Sequence, residues 1–193
     1  MHIVILLAAM YSLRRNEALG VRWSRIDFEK NQILIDTKVI EKSVDGKKIA
    51  APVEEMKTKS SRRTLPLIPV ITDALNEQKE KQEAYRKLFK RSYNREFSDY
   101  VCTNQLGELF RPDQVTDHFR RLLDQYGLRR IRFHDLRHTC ASLLIKNGMQ
   151  LINIKDYLGH SDIGITANIY AHLDESSKQS SADIMQNIYT GGK

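Results

Sequence analysis

Six side chains spread along a chain of 193 residues carry the groups needed to act on a phosphate diester. Arg14 lies in Ser12-Leu13-Arg14-Arg15-Asn16-Glu17, and Lys57 in Lys57-Thr58-Lys59. His134 and Arg137 stand in His134-Asp135-Leu136-Arg137-His138, His160 follows Leu158-Gly159, and Tyr170 sits in Asn168-Ile169-Tyr170-Ala171-His172. Guanidiniums, imidazoles, an ammonium and a phenol suit one task together: hold the phosphate, attack it with the phenol, and protonate the oxygen that leaves. Taken singly, each group has a plainer reading. His134, Arg137 and His138 share one face of a helix and could be a surface trio. His134 and His138 could also ligate zinc at helical spacing. Against zinc, aspartate follows His134 with no glutamate base where a zincin needs it, and Arg137 would set a fixed positive charge beside the metal. A histidine past a glycine-ended helix is commonly a cap, and one tyrosine among eight is commonly core or surface. The combination, not any one member, favours phosphate chemistry.

The elements that must position these groups follow from hydrophobic pattern. His2 to Met10 is apolar, too short to span a bilayer, without a cationic leader, and reads as a buried helix. A short helix follows with Ala18, Leu19 and Val21 inward, ending near Trp23. After a turn at 27–32, Ile33-Leu34-Ile35 and Lys38-Val39-Ile40 read as strand. Asp45-Gly46 is a hairpin turn, Lys48 to Val53 the returning strand, and Arg63 to Leu67 closes the same small sheet at an edge. From Pro69 the pattern is helical, with Val70, Leu75, Gln78 and Gln82 leading into a charged stretch through Lys90. Tyr100-Val101-Cys102 reads as a short buried strand. A helix from Pro112 buries Val115, Phe119, Leu122 and Leu123 and ends at Gly127. Further helices are expected over 134–147, 151–158 and 166–173, the last carrying Tyr170, before a polar tail with an apolar stripe at Ile184, Met185, Ile188 and Tyr189.

Composition sets the frame. Hydrophobic residues at 41% support a real core, and the net charge of +7 favours a polyanionic partner. A core of that size excludes a disulfide-stapled miniprotein, so Cys102 and Cys140 read as reduced thiols of a cytoplasmic protein with no membrane segment.

Three blocks in order give the chain a resemblance to a known family. Ser12 to Leu19, continuing to Trp23 and Asp27, resembles the first arginine box of the tyrosine recombinases, the lambda-type integrases of phages and mobile elements. His134 to His138 resembles their His-x-x-Arg-His box, and Leu158-Gly159-His160 through Tyr170-Ala171-His172 their terminal tyrosine box. The resemblance implies an α+β, mainly helical catalytic-domain fold with a small antiparallel sheet over residues 1–173. The tail, 174–193, would then dock on a neighbouring protomer. It implies site-specific cleavage and rejoining of DNA through a 3′-phosphotyrosyl intermediate, with no cofactor and no metal. Arg14 and Arg137 would grip the scissile phosphate, His160 would donate to it, and His134 would help take the proton of the nucleophile Tyr170. Lys57, or Lys59 two residues on, would protonate the leaving 5′ oxygen. Glu17 would orient the arginines and histidines from below. Lys59, Arg62 and Arg63 would give DNA a cationic hairpin. The partners implied are double-stranded attachment or core sites, a homo-tetramer on DNA and accessory DNA-bending proteins. Two departures from the pattern stand out: Ser12 occupies a position usually held by glycine, and the family's N-terminal core-binding domain does not precede the first block, which implies a fragment or truncated product. The rivals are a type IB topoisomerase, a catalytically silent DNA-binding descendant, and a zinc hydrolase on His134 and His138.

Overall fold

The computed structural model describes residues 1–54, 62–164 and 167. Its first helix, α1 (His2–Tyr11), is apolar on nearly every side and is buried accordingly, with Ile3, Val4, Leu7, Ala8 and Tyr11 in the core. Ser12 then turns the chain through the left-handed region at φ 55 while fully buried. That conformation favours glycine, because a Cβ crowds the following carbonyl, so Ser12 holds it at a cost. The turn delivers the chain into α2 (Arg15–Leu19), which is followed by a 3-10 turn at Trp23–Arg25.

The strands are β1 (Ile26–Asp27), β2 (Gln32–Ile35), β3 (Lys38–Val44), β4 (Lys47–Val53) and β5 (Arg63–Pro66). They form two sheets where the sequence pattern suggested one. β1, β2 and β5 make an antiparallel sheet in that order, while β3 and β4 pair only with each other. The hairpin turn falls at Asp45 and Gly46 as expected, both at positive φ, the geometry whose twist matches the flanking strands. β5 pairs with β2 because their alternation matches: Ile33 lies opposite Leu65 and Ile35 opposite Arg63, and all four side chains are buried.

Four helices follow: α3 (Pro69–Phe89), α4 (Pro112–Gln125), α5 (Asp135–Lys146) and α6 (Leu151–Leu158). α3 buries Ile71, Leu75 and Gln82, whereas Val70 is exposed. Tyr100, Val101 and Cys102 are buried but form no continuous strand; isolated bridges join Arg22 to Tyr100 and Thr103 to Leu109. The Gln82 amide instead donates to the carbonyls of Tyr100 and Val101 and to the Thr103 hydroxyl, and it accepts from the Trp23 indole. In α4, Val115, Phe119 and Leu123 face the core at a four-residue repeat. One large core unites α1 to α4 with the sheets, and a second small one joins Ala141 of α5 to Ile154 and Leu158 of α6. Tyr157 packs against both. The expected α+β, mainly helical fold with small antiparallel sheets is the one observed. No helix among the described residues is long and apolar enough to cross a membrane. The expected helix over 166–173 and the tail from 174 lie outside the described residues, Ala167 excepted.

Candidate active site

The C-terminal end of α1 is where the blocks meet. The Arg137 guanidinium donates through Nη1 to the Ser12 carbonyl at 2.5 Å, and the Tyr157 hydroxyl donates to the Met10 carbonyl at 3.0 Å. Tyr11 stands edge-on to Tyr157 with centroids 6.3 Å apart and donates its hydroxyl to the Pro66 carbonyl at 2.7 Å. Those contacts bring the first block, the strand β5 and both helices of the second core to one place.

Arg14 caps the start of α2, and Glu17 one turn on closes back on it. The Glu17 carboxylate accepts from the Arg14 side chain at 2.7 Å and from the Arg14 backbone N–H at 3.1 Å. Its second oxygen also accepts from Arg63 Nη2 at 3.3 Å. Glu17 is 3% exposed; burial alone would push its carboxyl up, but Arg63 and Arg14 outweigh that and hold it below the usual range. Glu17 therefore stays ionised against Arg14.

Arg137 is 3% exposed, and its Nη2 has no hydrogen-bond partner among the described residues. Burial, with Arg14 and Arg63 adding like charge, drops this guanidinium to about 9. A buried donor without a partner is costly, and an anion is the ligand that would relieve it. His160 follows Gly159, whose φ of 69 gives the left-handed turn that ends α6. It is 4% exposed, and burial, reinforced by Arg137, Arg14 and Arg63, pushes its imidazole down to about 4. His134 stands at the start of α5, exposed, its ring edge-on to His138 at 5.1 Å. Partial burial, then His138, Arg137 and Arg14, lower it as well. Both imidazoles are thus neutral at pH 7, each with one N–H to donate and one nitrogen to accept.

The structure accordingly brings Arg14, Glu17, Arg137 and His160 close enough to act on one another's charge, with the exposed His134 also within reach of Arg14 and Arg137. Lys57, Lys59 and Tyr170 lie outside the described residues. Arg62 is exposed. Arg63 needs a correction as a surface cation: it is 8% exposed, turned inward beside Leu65, and bonded to Glu17 and, through Nε at 3.1 Å, to the Tyr157 carbonyl. The signal was present in the strand alternation, which puts Arg63 on the face of Leu65 rather than that of Thr64. Several arginines flanking the second block are engaged by nearby acids: Arg130 by Asp124, Arg132 by Asp135, Arg111 by Asp113. Among the described residues no group of three or more His, Cys, Asp or Glu side chains could hold a metal ion.

Comparison with known proteins identifies the family and the fold. The sequence profile of the phage integrase family matches residues 1–177. A tyrosine recombinase XerC-like protein of Caldanaerobacter subterraneus subsp. tengcongensis is 30% identical over 194 residues, 96% of this chain and 49% of that protein. The ICEBs1 integrase of Bacillus subtilis is 29% identical over 183 residues, 94% of this chain and 47% of that protein. The chain therefore spans about half the length of these relatives. The Tn1549 transposon integrase, solved in complex with transposon right end DNA, superposes with a TM-score of 0.75 at 19% identity, covering 96% of this chain and 58% of that one. XerA recombinase superposes at 0.61 with 20% identity, over 93% of this chain and 55% of that one. With three blocks in order, ionisable groups from all three acting on one another and a profile spanning nearly its whole length, the chain belongs to the phage integrase family, the tyrosine recombinases.

Proposed function

We propose that residues 1–173 form the catalytic domain of a site-specific DNA recombinase that integrates or excises a mobile element, working in the cytoplasm on double-stranded attachment or core sites. The observation that carries this reading is the buried Arg137 fork, with one nitrogen fixed to Ser12 and the other unpartnered among the described residues, beside Arg14 and a neutral His160. Arg14 and Arg137 hold the non-bridging oxygens of the scissile phosphate and offset the charge that builds in the five-coordinate state. His160 donates its N–H to the same phosphate. Tyr170 attacks phosphorus, and the neutral His134 takes its proton. A free phenol at pH 7 is about three pH units below its pKa, so forming the phenolate first would cost roughly 4 kcal/mol. Proton transfer during attack lowers that cost. Lys57, or Lys59, protonates the departing 5′ oxygen. The 3′-phosphotyrosyl ester keeps the energy of the broken bond, and a 5′ hydroxyl from another strand reseals it, so neither ATP nor a metal ion is needed. On DNA the active assembly is a homo-tetramer, with 174–193 exchanged between protomers and accessory DNA-bending proteins assisting.

A nicked suicide duplex tests the proposal. Duplexes drawn from a random pool by the protein are incubated with it in EDTA and without ATP, then resolved on a denaturing gel. A covalent protein–DNA adduct that Tyr170→Phe abolishes is the expected result. No adduct from the protein would overturn the reading.

A further inference from the structure

Arg63 is buried on the inward face of β5 and bonds to two parts of the candidate site at once. Its Nη2 bonds the carboxylate of Glu17, whose other oxygen holds Arg14. Its Nε bonds the carbonyl of Tyr157, three residues before His160 in the chain and within the last turn of α6. A planar fork can serve both acceptors in a fixed geometry, which an ammonium cannot. A surface role leaves this arrangement unexplained, since a cation meant for DNA phosphates gains nothing from being buried against a carboxylate.

We infer that Arg63 is a positioning residue of the strand-cleavage site: through Glu17 it sets Arg14, and through the Tyr157 carbonyl it sets the end of α6 that presents His160. This rests on the proposed function above for its kinetic consequence, but its structural consequence can be read without DNA. Misplacing phosphate-binding groups by about an ångström costs roughly 100-fold in rate while leaving most binding contacts intact. Arg63 also adds to the positive field on His160, so its removal should relax that histidine upward.

The test compares Arg63→Lys with the parent protein. Adduct formation on the captured suicide duplex should slow roughly 10- to 100-fold in single turnover. Affinity for the same duplex, measured in a Tyr170→Phe background, should stay within about twofold, because Arg63 does not touch DNA. An unchanged rate, or an affinity loss matching the rate loss, would overturn the inference; the latter would make Arg63 a DNA contact. If Arg63→Lys does not fold, Glu17→Gln/Arg63→Met replaces the buried pair without stranding a charge. It should cleave more slowly than Glu17→Gln alone, because the tie to Tyr157 is also lost; equal rates would overturn the inference. The DNA-free arm follows the His160 imidazole by NMR titration in the same variants. Its midpoint should rise when Arg63 is replaced by methionine in the Glu17→Gln background, and an unmoved midpoint counts against the inference even if the parent captures no DNA. Failure of the parent to form an adduct would instead sink the proposed function while leaving this arm readable.

Discussion

At the scale of single residues the site is a problem of crowded positive charge. Arg14, Arg63 and Arg137 act on one another across a single buried carboxylate, Glu17. Arg137 bears most of the strain, since one of its nitrogens has no partner among the described residues. Arg137→Lys would keep the charge but lose the fork, and lysine cannot both reach Ser12 and present a second fixed donor. We expect single-turnover adduct formation to fall by roughly 100-fold or more, the magnitude seen when an oxyanion donor is removed, with the protein still folded by circular dichroism. A loss below about tenfold would mean that the fork does not face the reacting phosphate. His160 gives a prediction on stability. Its folded pKa of about 4 lies below its unfolded value, so the unfolded chain binds the proton more readily. The stability this histidine contributes is complete above about pH 6.5 and is lost as pH falls toward 4, giving about 1–2 kcal/mol between pH 7 and pH 5. Glu17 does not confuse this window, since its depressed carboxyl matters only at lower pH. Urea unfolding at both pH values should show a shallower acid loss in His160→Gln than in the parent; identical slopes would place His160 in water.

At the scale of elements, close backbone approach seats the first block. Gly20 ends α2 where that helix meets β3, and a Cβ there would fall inside van der Waals contact with the Thr37 carbonyl and the Lys38 Cα. Those neighbours are backbone and cannot swing aside. Gly20→Ala should therefore destabilise the protein by about 1–3 kcal/mol, read as a lower urea midpoint at unchanged slope, and should displace Arg14 and Glu17 with the helix. Much of this level could be read from the sequence. The 3.6-residue patterns gave α3 to α6 near their observed bounds, and Gly159 marked the turn before His160. Pairing between distant strands could not be read: β2 chose β5 over the nearer hairpin because Ile33 and Ile35 needed partners that bury, and a linear pattern does not show who those partners are. Arg63 differs: its residue type suggests a surface cation, although the strand alternation already sets it on the inward face with Leu65. Arg14, Glu17, Arg137 and His160 could be singled out because the blocks that hold them resemble those of a family; the buried tie between them could not, because it runs between β5, α2 and α6.

At the scale of the whole molecule, the net charge of +7 should be read as a sum over unequal sites. Phosphate neutralisation releases counterions, so a protein contacting about six phosphates loses roughly 10³-fold in affinity between 50 and 200 mM salt. Not every basic side chain can contribute fully. Arg130 is held by Asp124 at 2.7 Å and Arg132 by Asp135 at 2.9 Å, so each must leave or share a carboxylate before it neutralises a phosphate. Arg63 is buried against Glu17 and should contribute nothing. Arg62, exposed beside it in the chain, should contribute nearly a full contact. Fluorescence anisotropy on a duplex across this salt range should thus show Arg62→Ala lowering the slope of log K against log salt by about 0.9, uniformly across DNA sequences. Arg130→Ala should lower it by clearly less, because Asp124 already neutralises Arg130 and little of its charge is available to a phosphate. Equal slope changes in the two variants would mean that DNA breaks the Arg130–Asp124 pair outright. The charged face around α4 and α5 would then be a primary DNA contact instead of a surface already balanced within the protein.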